Sequence, residues 1–429
     1  MAHETASVER SLVRKVAIRL ALPAILIMLL SSLDRVNVSF AALKMMGDLA
    51  MSPSQYGFAS GILFAGFLAG QYPSILALQR VGFRWWLAIS VLLWGIATGL
   101  LGMIENQIQF CVLRAVIGFA EGGLAPGLVF YLSQFASERE RARTFTYPMV
   151  AIPLSIIVGG PISGLLLDMH GPFGLASWRW MFIAEALPTV LGACIVLFYF
   201  RDRPDQVGWL NEPERRWLAQ NAVAGQQKHT GNDWSALRFP VVWLSAALWF
   251  CLLSGSYGIM FWLPAAMKQL GGLGPIEIGV LNSLPWLGNV LAMFGNAYHT
   301  DRTGERFWHV AMPAVLAGAA LLAVIAPLAA VPRLVLLIMA GSALGAAQGA
   351  FWALPRQVLS KRRLAVAIVT INIAGSSGGL MMPILVGLIR QWSGNFNSAF
   401  VLLSILLMLG AALVGGIALT DRRPRRADA

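Results

Sequence analysis

The chain has 429 residues, of which 57% are hydrophobic and only 12% charged, with a net charge of +12. An average soluble domain is about 25% charged, so a soluble enzyme or binding module is excluded. Stretches of about 20 apolar residues, the length that crosses a bilayer, recur twelve times. They lie near 16–43, 54–78, 85–104, 108–134, 144–167, 178–200, 241–268, 276–298, 308–329, 333–355, 365–389 and 398–420. They lack the alternation of a transmembrane barrel, so an all-α polytopic membrane protein with twelve transmembrane helices is expected.

The first span carries its charge in the middle. Leu20 to Leu33 is almost wholly apolar, then come Asp34, Arg35 and Asn37, and Val38 to Leu43 resumes the apolar run. A charged residue at the centre of a bilayer costs about 2.5–3.5 kcal/mol on the lenient insertion scale. Two adjacent ones imply a polar cavity lined by this helix. No small-residue cleavage site precedes Asp34, so the span is expected to be retained. In the fourth span Arg114 and Glu121 are seven residues apart, which puts them on one helix face about 10 Å apart along the axis. Gly118 lies between them and Pro126 follows.

The longest hydrophilic stretch, 201–240, separates a six-span bundle at 1–200 from another at 241–429. A constant offset of 222 residues relates the two. It sets Gln79-Arg80-Val81-Gly82-Phe83-Arg84 on Asp301-Arg302-Thr303-Gly304-Glu305-Arg306, Arg139 and Arg141 on Lys361 and Arg363, and Pro161 on Pro383. Two six-helix pseudo-repeats are therefore expected, an arrangement found in transporters that bind substrate between parallel halves. At that offset Asp34, Arg35, Arg114 and Glu121 fall on Ser256, Tyr257, Leu336 and Ala343, so the mid-membrane charge belongs to the first half. The second half offers Ser256, Tyr257, Trp262, Asn282, Asn289, Gln348, Trp352, Asn372 and Ser376 as a neutral substrate wall.

Lys44, Arg179, Lys268, Arg333 and Arg390 fall on one side of the membrane, Arg35 and Arg114 within spans, and the remaining Lys and Arg on the other side if both termini are cytoplasmic. This is the positive-inside bias. It accounts for the basic charge without nucleic acid, and Arg422, Arg423, Arg425 and Arg426 read as membrane-surface anchors. Cys111, Cys194 and Cys251 have no metal or disulfide spacing.

The segments Leu33 to Ser39, Arg114 to Gly122, Trp178 to Glu185, Asp301 to Arg306 and Asn372 to Gly379 together resemble the anion:cation symporter branch of the major facilitator superfamily. Phe200 to Pro204 and Tyr257 to Pro264 resemble its bacterial permeases for tartrate, phthalate, 4-hydroxyphenylacetate or nicotinate, and sugar-acid permeases are slightly further away. The resemblance implies the major facilitator fold in an inner membrane and proton-coupled uptake of a small organic anion. It implies proton carriage by Asp34 and Glu121 and a substrate carboxylate held by Arg35. Arg114, Asn37, Phe67, Tyr257, Trp262, Asn282, Trp352, Asn372 and Ser376 are the further candidate substrate contacts, and Arg80, Arg84, Asp301, Arg302 and Arg306 the candidate gate. No cofactor or metal is expected, and the partners are the anion, protons and lipid around a monomer. The usual Tyr residues are Ser32 and Phe67 here, the usual Gly-Asn is Gly375-Ser376, and Gln79 stands where the repeat has Asp301. These losses point to a substrate less hydroxylated than a hexonate.

Other classes fit less well. None of the five lysines follows a glycine, which excludes a phosphate-binding P-loop. Gly375 to Gly379 matches a nucleophile-elbow pattern but falls inside an expected helix, without a mid-membrane histidine. A drug/proton antiporter is the main rival, and Arg35 and Arg114 favour an anionic substrate over a cationic drug; a sensor on the transporter scaffold would bind without transporting.

Overall fold

The computed structural model describes residues 2–135, 151–221 and 233–421. Arg139, Arg141, the linker run 225–229 and Arg422, Arg423, Arg425 and Arg426 lie outside the described residues. Within them the chain is helical and no strand occurs. The helices are α1 (Ala2–Val16), α2 (Leu22–Asp48), α3 (Pro53–Val81), α4 (Phe83–Leu101), α5 (Gln107–Glu121), α6 (Leu124–Ser133), α7 (Ala151–Asp168) and α8 (Ser177–Tyr199). There follow α9 (Glu212–Asn221), α10 (Pro240–Lys268), α11 (Pro275–Thr303), α12 (Trp308–Ala323), α13 (Ala330–Phe351), α14 (Ala353–Val358), α15 (Lys361–Ser393) and α16 (Asn397–Asp421).

Among the described residues, eleven helical stretches are long and apolar enough to cross a membrane. The expected ninth span corresponds to α12, a shorter apolar helix of 16 residues. A π-turn at Ala17–Ala21 joins α1 to α2, making the helix continuous through the first span. The expected fourth span is divided into α5 and α6 at Gly122-Gly123. Pro126 has no N–H to give to the carbonyl four residues earlier, and two glycines propagate a helix poorly, so the break falls there.

The chain forms two compact units. One comprises Met1–Asn37, Ala65–Ile156 and His170–Thr230; the other comprises Val38–Phe64, Ile157–Met169 and Gly231–Ala429. In the first unit α4 packs on α5 and α8. Helix α3 lies directly on α5: a Cβ at Gly66 would meet the Ala115 backbone, and one at Gly70 the Phe119 backbone. Absence of Cβ atoms lets the two backbones touch, which brings Phe67 beside the Arg114–Glu121 stretch. On the hydrophilic side α9 binds α1. Ser11 Oγ donates to Glu214 Oε1 at 2.9 Å and Lys15 Nζ to Glu214 Oε2 at 2.8 Å, and Glu214 also accepts from the Asn211 N–H while Asn211 Oδ1 accepts from the Glu214 N–H. Burial pushes the Glu214 carboxyl up, but the bonds from Lys15, Asn211 and Ser11 together prevail and hold it below the usual carboxylate range.

In the second unit α10 packs on α15 and α16, α11 on α13, and α12 on α13 and α16. The ends of first-half helices are fastened within it. Tyr56 Oη donates to the Phe261 carbonyl at 3.1 Å, Lys268 Nζ to the Leu43 carbonyl at 2.8 Å, and Lys44 Nζ to the Leu167 carbonyl at 2.6 Å. The pseudo-repeat is visible in the backbone. Gly82 and Gly304, 222 residues apart, both take left-handed φ, +85° and +69°, a conformation that favours glycine. Pro161 and Pro383 both sit inside helices, α7 and α15.

Candidate anion and proton site

The first unit gathers its charges around the middle of α2. Asp34 and Asn37 are each 1% exposed, and Arg114 and Glu121 are fully buried. Arg35 Nε and Nη2 both donate to Glu121 Oε2, at 3.1 and 2.7 Å. The Arg35 guanidinium also lies 5.5 Å from the centroid of the Phe67 ring. A charge-assisted pair of this kind is strong because the fork of the guanidinium fits a carboxylate. Arg114 Nη1 donates to the backbone carbonyl of Asp34 at 3.0 Å. It thereby braces α2 at the charged position.

The Asp34 carboxylate receives a long bond from Asn37 Nδ2 at 3.4 Å. Asp34 Oδ2, Asn37 Oδ1 and Glu121 Oε1 are shut off from solvent and have no hydrogen-bond partner among the described residues. Buried polar atoms are rarely left so. Asp34 also feels the charges of Glu121, Glu185 and Arg114, and Thr98 of α4 lies beside it. Glu185, on α8, was not singled out from sequence as a site residue. The signal was an acidic residue inside the apolar run 178–200.

The candidate substrate wall lies in the second unit, and its members are not all alike. Tyr257 stands edge-on to Phe64, with ring centroids 4.6 Å apart. Gln348 Nε2 donates to Ser256 Oγ at 2.6 Å, joining α13 to α10. Asn282 is 1% exposed and its Oδ1 has no partner among the described residues. Trp352 packs against Trp249 and Phe351 where α13 gives way to α14. Trp262 is buried, edge-on to Tyr56, and its indole N–H donates to the Pro383 carbonyl at 3.2 Å. Asn372 is turned back onto its own helix, donating to the Ile368 carbonyl at 3.0 Å, and Ser376 is half-buried. The Gly375 to Gly379 run is interior to α15.

At the candidate gate Arg80, Asp301 and Arg302 are exposed, and Arg302 lies over the Tyr298 ring at 5.3 Å. Arg84 is half-buried against Trp85, and its N–H donates to Asp202 Oδ1 at 2.9 Å. Arg306 is half-buried. The turn after α11 is organised by Glu305, which accepts from the Phe307 and Trp308 N–H groups and pairs with His309 Nδ1 at 3.0 Å. Burial pushes its carboxyl up, and the bonds from Trp308, His309 and Phe307 prevail to hold it low. Glu305 belongs to the Asp301 to Arg306 segment picked out from sequence, whereas Asp202 was not a sequence candidate.

The model of the Major Facilitator Superfamily matches residues 24–383. The chain belongs to this superfamily. It is 37% identical over 414 residues, 95% of this chain and 92% of the relative, to the Agrobacterium vitis protein named "Putative tartrate transporter". It is 30% identical over 409 residues, 94% of each, to the "Quinolone resistance transporter" of Acinetobacter baumannii. In fold it is similar to the crystal structure of a bacterial homologue of the human lysosomal transporter Spinster in an inward-facing and unoccupied conformation. The TM-score is 0.81, covering 96% of this chain and 98% of that one at 16% identity. This superfamily member is thus a multi-pass transport protein and not an enzyme, and its relatives' names support organic-anion transport.

Proposed function

We propose that the chain is a proton-coupled symporter that imports a small organic anion, a mono- or dicarboxylate such as a hydroxy or aromatic acid, by alternating access. The observation that carries this reading is the buried pair of Arg35 and Glu121. Arg35 holds an internal carboxylate in the geometry it would offer a substrate carboxylate, over the face of Phe67. An arriving anion competes for Arg35. Glu121 then loses its compensating charge and takes a proton. Linkage requires the proton to favour the anion in return. Asp34 is the second proton site, Arg114 and Asn37 hold α2 in register, and Tyr257, Trp262, Asn282, Trp352, Asn372 and Ser376 supply the wall from the second half.

In this reading 1–200 and 241–429 are the two bundles, 201–240 is a cytoplasmic linker, and both termini are cytoplasmic in an inner membrane. The protein works as a monomer. Arg80, Arg84, Asp301, Arg302 and Arg306 form the cytoplasmic latch. The test is uptake of radiolabelled tartrate and other carboxylates into proteoliposomes under an imposed pH gradient. Accumulation that collapses with a protonophore is expected; uptake indifferent to the gradient would remove proton coupling. A second reading, proton-driven export of a drug, is favoured by the quinolone-resistance relative. It would appear as gradient-driven quinolone transport in the opposite direction, with no carboxylate accumulation.

A further inference from the structure

Helix α1 runs without a stop into the first span, and one face changes from basic to apolar across the π-turn that joins α1 to α2. Residues 11, 14, 15, 18, 22 and 26 follow the three-and-four spacing of a single helical face, with Arg19 at its edge. The segment Ser11 to Arg19 holds three bases, Arg14, Lys15 and Arg19, and no acid. A cavity of about 600 Å³ opens here, lined by Ser11, Arg14, Lys15, Ile18 and Arg19. Small-molecule sites span about 300–1,000 Å³, so it has room for a phospholipid headgroup. Lys15 Nζ donates to Glu214 Oε2 at 2.8 Å, which matches its charge. The Arg19 guanidinium lies 5.8 Å from the centroid of the Trp209 ring, a contact that orients a cation without neutralising it. Arg14 is exposed. With Lys15 matched by Glu214, the wall presents the charges of Arg14 and Arg19. Beyond them the face turns apolar and stays open. Ile18, Leu22 and Leu26, each one turn from the next, are 53%, 56% and 46% exposed. From Ile18 to Leu26 the axis advances about 12 Å, against about 15 Å of hydrocarbon in one leaflet.

We propose that this face binds one anionic phospholipid, its phosphodiester in the cavity between Arg14 and Arg19 and an acyl chain along Ile18, Leu22 and Leu26. Guanidiniums suit phosphate oxygens because each offers several N–H groups in a fixed plane. A choline headgroup brings a cation of its own, which the two arginines repel. Acyl chains cover the apolar stripe whatever headgroup they carry, so the arginines supply the selectivity and the stripe supplies the preference for a lipid over a free anion. Trp209 and Glu214 belong to the site at one remove. They orient Arg19 and hold Lys15, so the cavity keeps its shape while the segment carrying them is seated on α1.

The lipid site is independent of what the protein carries and is tested without any transport substrate. Native mass spectrometry of the full-length protein in detergent counts bound molecules directly, in separate titrations with phosphatidylglycerol, phosphatidylcholine and inorganic phosphate. One phosphatidylglycerol is expected to be retained at least tenfold more tightly than phosphatidylcholine, and inorganic phosphate at equal concentration should not displace it. Replacing both arginines, Arg14→Gln with Arg19→Gln, should weaken phosphatidylglycerol about tenfold or more and leave phosphatidylcholine unchanged. The control pair Arg203→Gln with Arg216→Gln removes two other exposed arginines and should weaken neither lipid. Size-exclusion profiles report folding of each variant, and the comparison of the two lipids on the wild type decides without any variant. Equal retention of both lipids by the wild type would overturn the proposal, as would wild-type retention of phosphatidylglycerol by the folded Arg14→Gln, Arg19→Gln protein. Equal weakening in the two double variants would reveal a diffuse effect of charge, and displacement by inorganic phosphate a free-anion site; either overturns it as well.

Discussion

At the residue scale, Arg35 is the single donor of two charge-assisted bonds to a buried carboxylate. Lysine puts one ammonium at a different place and cannot grip a carboxylate through two parallel N–H groups. Arg35→Lys should therefore weaken anion binding about tenfold or more, which is about 1.4 kcal/mol, and Arg35→Ala should abolish it. Isothermal titration or ligand-induced thermal stabilisation against a carboxylate panel reads both variants. Wild-type affinity in Arg35→Ala would end its role as the anchor. Asp34, Arg35, Arg114 and Glu121 were legible as a group in the sequence because charges within apolar runs are costly and conspicuous. Their pairing was not. The sequence left open which groups Arg114 faces, and the structure shows its Nη1 on the Asp34 backbone carbonyl. Glu185 was overlooked because a lone acid near the start of a span is usually explained by the membrane interface.

At the element scale, the glycines of α3 set how near α5 can come. A methyl group at Gly70 would press on the carbonyl and Cα of Phe119, two residues from Glu121. Overpacking of this kind costs about 1–3 kcal/mol. Gly70→Ala should lower the thermal midpoint and also weaken anion binding, since α5 must shift. Gly47→Ala, where nothing lies within 4 Å, is the control and should change neither. Spans, their order and the repeat were readable because hydropathy runs and offset matches depend only on the order of residue types along the chain. The division of the fourth span at Gly122-Gly123 and the shortness of α12 were not, because each depends on local backbone hydrogen bonding. The offset of 222 sets Gly82 on Gly304, and the structure adds that both take positive φ.

At the scale of the whole molecule, the linker helix α9 is tied to α1 through Glu214 and Lys15. Glu214 has a depressed folded-state carboxyl, so the tie contributes fully above the ordinary glutamate value of about 4.3. It is lost as pH falls through the lowered folded value. Limited proteolysis across 201–240 should accelerate below about pH 4 in the wild type, and at neutral pH in Glu214→Gln. Equal cleavage of the two proteins at neutral pH would show that the tie does not hold the linker.

The claim that joins these scales is that Glu121 gives up Arg35 to the substrate and takes a proton in exchange. Proteoliposomes containing wild type or Glu121→Gln test it most directly, with radiolabelled carboxylate followed under a pH gradient and under counterflow. Glu121→Gln is expected to bind and exchange the anion across the membrane without accumulating it against a gradient, because the amide mimics a permanently protonated acid. Gradient-driven accumulation by Glu121→Gln at wild-type levels would contradict the account.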